Sequence, residues 1–305
     1  MSKVAFVFPG QGSQAVGMGR DLFENFPEAK HIFEEADETL GFSLSKLCFE
    51  GPEEELRQTV NTQPAIMTVS VACLKAARAN GCKVQPSFVA GHSLGEYSAL
   101  VAAEALSFAD GISLIKERAR LMQQAGEEYP GGMAAVIGLD MVSLEEVCQE
   151  TGTRIANLNS PEQVVISGTS QSLAWAMDLA KARGAKRVIR LSVSGAFHSP
   201  LMRPAAEGLA KEVSKCRFSH PSIPVVANVT GRPKSTAEEV KDGILKQVCD
   251  CVRWQPSVEY MIDAGVSTFV EIGPGQVLTG LIKRINRNME LINVNNLSSI
   301  GEVCH

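Results

Sequence analysis

The chain has 305 residues, 45% hydrophobic and 21% charged, a balance that supports a buried core and excludes a disordered protein. Lys and Arg total 29 against 34 Asp and Glu, and a net charge of −5 argues against bulk nucleic-acid binding, which rests on neutralising phosphates. No apolar run approaches the roughly 18 residues that span a bilayer, and residues 1–8 are too short for a secretory signal, so a cytoplasmic protein away from membranes is expected. The eight cysteines, at 48, 73, 82, 148, 216, 249, 251 and 304, form no CxxC pair. They read as reduced thiols, with no metal site expected.

In chain order, residues 4–8 (Val-Ala-Phe-Val-Phe) predict a buried parallel strand ended by Pro9-Gly10. Helical patterning follows over 27–40 and 63–79. Residues 87–90 predict a strand, and 91–95 a tight link into a small-residue helix near 97–103. Ser107-Phe-Ala-Asp110 predicts a capping box that opens a helix running to about Ala125. Between 131 and 197 the order strand (133–137), helix (143–150), strands (154–158, 163–167), helix (170–183), strand (187–193) is the ferredoxin-like βαββαβ motif. A helix from Leu201, a strand at 224–228, a helix near 238–248, a strand at 268–272 and a helix after Gly275 return to α/β alternation. The expected architecture is α/β: a hydrolase-like parallel-sheet subdomain (1–129 and 198–305) with an inserted ferredoxin-like subdomain (130–197).

Gly91-His92-Ser93-Leu94-Gly95 fits G-x-S-x-G, the nucleophile elbow, with strand before and helix after. A plain βα turn is the alternative. A serine needs a base, and the chain offers His31, His92, His198, His220 and His305. His31 sits in an acidic helix, His92 points away from its neighbour Ser93 on an extended strand, His220 lies in an irregular segment and His305 is terminal. His198, at the seam where the inserted segment ends, is the candidate, against a capping or core histidine. The Pro9–Gln14 turn offers amides, so Gln11 and Leu94 are candidates for an oxyanion hole if the first two strands are neighbours. Gly10-x-Gly12-x-x-Ala15 also fits a dinucleotide fingerprint, but residues 31–40 read as a helix where the ribose-binding acid should end a strand. Arg118 falls on the apolar stripe of its helix with Leu114, Leu121 and Met122, so its partner is either a buried carboxylate or a substrate.

Phe8-Pro-Gly-Gln-Gly-Ser13, Gln63-Pro-Ala65, Gly91-His-Ser-Leu-Gly-Glu-Tyr-Ser98, Arg118, Gly195-Ala-Phe-His-Ser199 and Glu271-Ile-Gly-Pro-Gly275 together resemble the malonyl-CoA:acyl carrier protein transacylases, over essentially the whole chain. The resemblance implies that Ser93 carries the malonyl group, that His198 is general base and acid, and that a backbone carbonyl at Gln247 orients it. It also implies oxyanion binding by the amides of Gln11 and Leu94, a clamp by Arg118 on the malonyl carboxylate, and a site-lining His92. Phe197 resembles the bulky form associated with malonyl over methylmalonyl selection. The partners implied are malonyl-CoA and acyl carrier protein, with no cofactor, for a monomer serving fatty-acid synthesis or, alternatively, a polyketide pathway. An esterase or thioesterase, or a non-enzymatic docking module, are the competing readings. For an acidic carrier protein, Lys181, Arg183, Lys186, Arg187 and Arg190 form one basic cluster, and Lys283, Arg284 and Arg287 a second.

Overall fold

The apolar run near the start of the chain becomes β1 (Lys3–Phe8), and the continuity of that run has a simple cause. Phe6 and Phe8 enter the core on one face of the sheet, while Ala5 and Val7 enter the core on the other. A strand buried on both faces loses the polar alternation of a half-exposed one. The computed structural model describes residues 3–301, and the remaining strands among them are β2 (Phe88–Gly91), β3 (Gly131–Ile137), β4 (Arg154–Ser160), β5 (Gln163–Thr169), β6 (Arg187–Arg190), β7 (Val225–Ala227), β8 (Arg232–Lys234), β9 (Val266–Ile272) and β10 (Glu290–Val294).

The larger sheet has the order β10-β9-β1-β2-β7-β8. It is parallel except for β8, which runs antiparallel to β7. Helices Thr59–Ala79, Gly95–Ala102 and Phe108–Glu128 pack on one face, and Trp254–Asp263 and Val277–Ile285 on the other. The chain is thus α/β with a parallel sheet, as the sequence predicts.

The second sheet, β4-β5-β3-β6, is antiparallel throughout. With helices Met141–Thr151 and Ser170–Ala182 its element order is βαββαβ. Ala134 and Val136 of β3 face those helices, whereas Met133 and Ala135 join the main core. A short parallel bridge ties this sheet to the rest of the chain. Leu158 N–H donates to the Val252 carbonyl at 2.9 Å and Val252 N–H to the Ala156 carbonyl at 2.8 Å.

Some elements depart from expectation. The strands β8 and β10 and the Trp254–Asp263 helix are additions. β8 is a three-residue edge strand containing Pro233, β10 is a half-exposed edge, and Pro256 in the first helical turn reads as a breaker although that position tolerates it. β6 stops at Arg190, short of Val193. The box at Ser107 is only half formed. Ser107 Oγ accepts the Asp110 N–H at 3.0 Å, but the Asp110 carboxylate takes the Ser107 hydroxyl and leaves the Ser107 amide alone. The complete capping box is at Thr236 and Glu239.

Candidate active site

Because β1, β2 and β7 are adjacent and parallel, the loops after Phe8, Gly91 and Ala227 emerge side by side, where open α/β sheets place their ligands. The first loop carries Gln11, the second His92, Ser93 and Leu94, and the third Asn228. Ser93 is held at φ 52°, the strained turn of an elbow. A Cβ at Gly91 would lie 1.9 Å from the Gly95 carbonyl carbon, and one at Gly95 would lie 2.1 Å from the Phe8 carbonyl oxygen. Both glycines are therefore obligatory. Asn228 closes the turn from the next strand. Its Oδ1 accepts the Ser93 N–H at 2.7 Å, and its Nδ2 donates to the Gly91 carbonyl at 2.6 Å.

Ser93 Oγ and His198 Nε2 are 2.8 Å apart, although 105 residues separate them in the chain. On the far side of the ring, Nδ1 lies 2.7 Å from the Gln247 carbonyl oxygen. A carbonyl only accepts, so Nδ1 carries the proton and Nε2 presents its lone pair to the serine. Burial, reinforced by the nearby Arg118 cation, pushes His198 down to about 3, so the ring is neutral at any ordinary pH. The other histidines lie elsewhere: His31 is exposed near Glu35, and His220 accepts the Ala237 N–H at 3.3 Å. His92 turns away from Ser93 to Asn159 Oδ1, 2.8 Å from its Nε2. His305 and Cys304 lie outside the described residues, among which Cys48, Cys73, Cys148, Cys216, Cys249 and Cys251 form no disulfide.

Arg118 is 1% exposed, and its partners are neutral oxygens. Nη1 donates to Gln63 Oε1 at 2.5 Å, and Nη2 to Gln247 Oε1 at 2.9 Å and to Ser93 Oγ at 3.1 Å. The guanidinium also lies 5.6 Å from the centre of the Tyr97 ring. Among the described residues no carboxylate forms an ion pair with it. The sequence left a buried carboxylate and a substrate open as its partner; no carboxylate touches it directly, and buried Glu96 reaches it only through the Gln247 amide. A buried cation with only neutral partners is costly to fold.

The structure brings in Gln63, Glu96 and Asn228, to which sequence reasoning gave no role. Their signals are faint but real: a glutamine within an apolar helix, an acid in the first turn of a small-residue helix, and an amide ending a parallel strand. Gln247 acts twice, through its carbonyl on His198 and through its side chain, whose Nε2 donates to the Ser93 carbonyl at 2.9 Å and to Glu96 Oε2 at 2.6 Å. Glu271, from the Glu-Ile-Gly-Pro-Gly motif, accepts the Leu278 and Thr279 N–H groups at 3.0 and 2.7 Å and so caps the Val277–Ile285 helix.

A narrow pocket of about 90 Å³ sits over Ser93, bounded by Gln11, Arg118, Met122, Met133, Phe197 and His198. With liquid water occupying about 30 Å³ per molecule, it is sized for a short acyl group. It adjoins a wider groove of about 410 Å³ that shares Gln11 and His92 and runs past Asn159, Gln163 and Gln276 to Arg284. Gln11 and Leu94 flank the serine, and no acceptor among the described residues takes either backbone N–H. A nucleophile, a neutral base, two available amides and a buried cation in one small pocket suit transfer of an anionic acyl group.

Comparison with known proteins agrees with this geometry. The acyl transferase domain family matches residues 5–302. A malonyl CoA-acyl carrier protein transacylase of Bacillus subtilis is 47% identical, with 98% of this chain and 96% of that protein covered. An acyl carrier protein S-malonyltransferase from Vibrio cholerae superposes with a TM-score of 0.95 at 44% identity, covering 99% of this chain and all of that one. A malonyl-transacylase solved in complex with its type II PKS acyl-carrier protein gives 0.96 at 43% identity, with 99% of each chain covered. The chain belongs to the acyl transferase family, on the branch of the malonyl CoA-acyl carrier protein transacylases.

Proposed function

We propose that this protein transfers the malonyl group from malonyl-CoA to the phosphopantetheine thiol of acyl carrier protein through a malonyl-serine ester. The observation that carries this reading is Arg118, a buried cation among neutral partners with Nη2 3.1 Å from the nucleophile Oγ. A hydrolase of neutral acyl chains has no use for it. A malonyl carboxylate fits its fork and supplies a negative charge in direct contact with it.

Ser93 Oγ attacks the thioester carbonyl while His198 Nε2 takes its proton. The amides of Gln11 and Leu94 hold the oxyanion of the tetrahedral intermediate, an interaction worth several kcal/mol. Collapse expels CoA as its thiolate, which recovers the proton from His198. The carrier thiol then repeats the sequence in reverse, giving its proton to His198, attacking the ester and restoring the Ser93 hydroxyl. The malonyl carboxylate on Arg118 also screens the cation that, after burial, most depresses His198, so the base strengthens as the correct substrate binds. Phe197, 5% exposed, closes the pocket beside His198 and leaves little room for a branch methyl.

The amide-lined outer groove suits the pantetheine arm that both thioesters share. For carrier docking we favour the cluster of Lys283, Arg284 and Arg287. Arg284 stands on the groove, donating to Gln163 Oε1 at 2.8 Å. The 181–190 cluster is less free than its sequence implies, because Arg183 pairs with Glu146 and Glu150, and Lys181 with Asp178. Fatty-acid synthesis is the proposed destination, and a polyketide carrier protein is the second acceptor to try. Water-borne substrates and thiols such as Cys48, Cys73 and Cys148 held outside any disulfide suit a cytoplasmic setting, and among the described residues no helix is long and apolar enough to cross a membrane.

Brief incubation with malonyl-CoA should add one malonyl mass to the intact protein, mapped to Ser93 and absent from Ser93→Ala. Malonyl transfer by Ser93→Ala at the wild-type rate would overturn the reading.

A further inference from the structure

Glu96 lies in the first turn of the Gly95–Ala102 helix, 2% exposed. Its Oε2 accepts Gln247 Nε2–H at 2.6 Å and the Asn228 N–H at 3.4 Å. Gln247 Oε1 in turn accepts from Arg118 Nη2 at 2.9 Å, and that nitrogen also reaches Ser93 Oγ. One amide therefore separates a buried acid from the buried cation beside the nucleophile. Burial pushes Glu96 up to about 7, against the opposing pull of Gln247, Asn228 and Arg118. The charged and titratable groups around it are few. Tyr97 neighbours it on its own helix, Arg118 faces it from the Phe108–Glu128 helix, and neutral His198 lies beyond Ser93. The Ala237–Gln247 helix turns Gly243 toward it, while Asp242 and Lys246 of that helix pair with each other at the exposed surface.

We propose that Glu96 is a positioning residue for Arg118. It is the internal counter-charge that holds the guanidinium through Gln247 in the empty site, and it takes up one proton when a substrate carboxylate replaces it as Arg118's anionic partner. The inference rests on the reading of Arg118 as the malonyl clamp. Two carboxylates gathered around one buried cation leave a net negative charge away from water, and protonating the internal one removes it. The proton comes from solvent, and no covalent bond other than O–H forms. Binding of an anionic acyl group then weakens as pH rises and Glu96 stays ionised. A neutral acyl group is indifferent to it.

The test measures KM and kcat for malonyl-CoA, and acetyl-CoA loading, across the pH range around 7 in the wild type, Glu96→Gln and Arg118→Ala. Glutamine keeps an acceptor at the Oε2 position and removes only the charge. The wild-type KM for malonyl-CoA should rise severalfold with pH, at most tenfold per unit. Glu96→Gln should lose that rise, show the lower KM at the alkaline end, and keep kcat within about twofold. The CoA phosphate titrates nearby but equally for both proteins, so the difference between them reads Glu96. A flat wild-type profile, or parallel rises in the two proteins, would overturn the inference. If Glu96→Gln fails to fold, the wild type still decides through acetyl-CoA, which carries the same phosphate. The acetyl-CoA profile should lack the rise, and an equal rise for both acyl groups would overturn the inference. Glu96→Asp, which retains the charge, should retain the rise. If Arg118→Ala loses malonyl and acetyl loading equally, the clamp itself has failed. If it loses malonyl selectively while the two profiles run parallel, only the role of Glu96 has.

Discussion

Arg118 and Arg183 sit in the two sheets' helical layers and show opposite treatments of one side chain. Arg183, half-exposed at the end of the Ser170–Ala182 helix, reaches two carboxylates, Glu146 and Glu150, on the neighbouring helix. Arg118, sealed against the parallel sheet, has only amide and hydroxyl oxygens. The antiparallel layer neutralises its charge where water already screens it. The parallel layer leaves a buried charge without a carboxylate in direct contact, the nearest acid standing one amide away, and that open position marks the region built to receive something. Stability has been given up at Arg118 and kept at Arg183.

Substituting the two arginines probes the contrast directly. Arg118→Ala should lower kcat/KM for malonyl-CoA on the order of 100-fold, the loss of a bidentate charge-assisted contact. Acetyl loading should persist, and equal loss of both would break the comparison. Asn228→Ala comes next, because it orphans the Ser93 N–H and the Gly91 carbonyl beneath a strained φ. A stability loss of about 2–4 kcal/mol is expected, read from the denaturant midpoint, together with slower Ser93 acylation.

The third prediction concerns pH. His198 is held near 3 in the fold against an ordinary 6.5, so between those values the unfolded chain binds a proton that the fold refuses, and stability falls as pH falls. Glu96, near 7 in the fold against 4.5, does the reverse between 4.5 and 7, where the fold binds the proton and stability falls as pH rises. From 4.5 to 6.5 the two slopes oppose. Relative to wild type, Glu96→Gln should therefore lose stability toward acid at about 1 kcal/mol per pH unit over that window, followed by urea unfolding in a pH series. Arg183→Ala closes the set, with a change within about 1 kcal/mol in thermal unfolding and none in malonyl transfer.

Much of this was legible in the residues because the site is built from local patterns. The elbow needs glycines where their Cβ atoms would strike the chain, and a parallel strand buried on both faces reads as an unbroken apolar run. The stripe on the Phe108–Glu128 helix pointed Arg118 inward, and the structure buries it. Elimination of the other histidines left His198, and the fold brings it to Ser93. What escaped depends on distance in the chain. Asn228 lies 135 residues from the amide it anchors, and Glu96 acts through a glutamine 151 residues away. No periodicity encodes such pairs. The edge strands β8 and β10 escaped for another reason, since short, half-exposed edges lack the apolar signal of the interior.

The hydrogen bond from His198 to the Gln247 carbonyl has an unusual genetic consequence. Every amino acid brings the same peptide oxygen, so no codon change at position 247 deletes that acceptor, and no proton ever titrates on it. Alanine scanning there will report on Arg118, Glu96 and the Ser93 carbonyl while staying blind to the contact that aims the imidazole. Evolution can disturb that aim only by moving main chain, for instance at the Asn157–Val252 pairing that anchors the following loop.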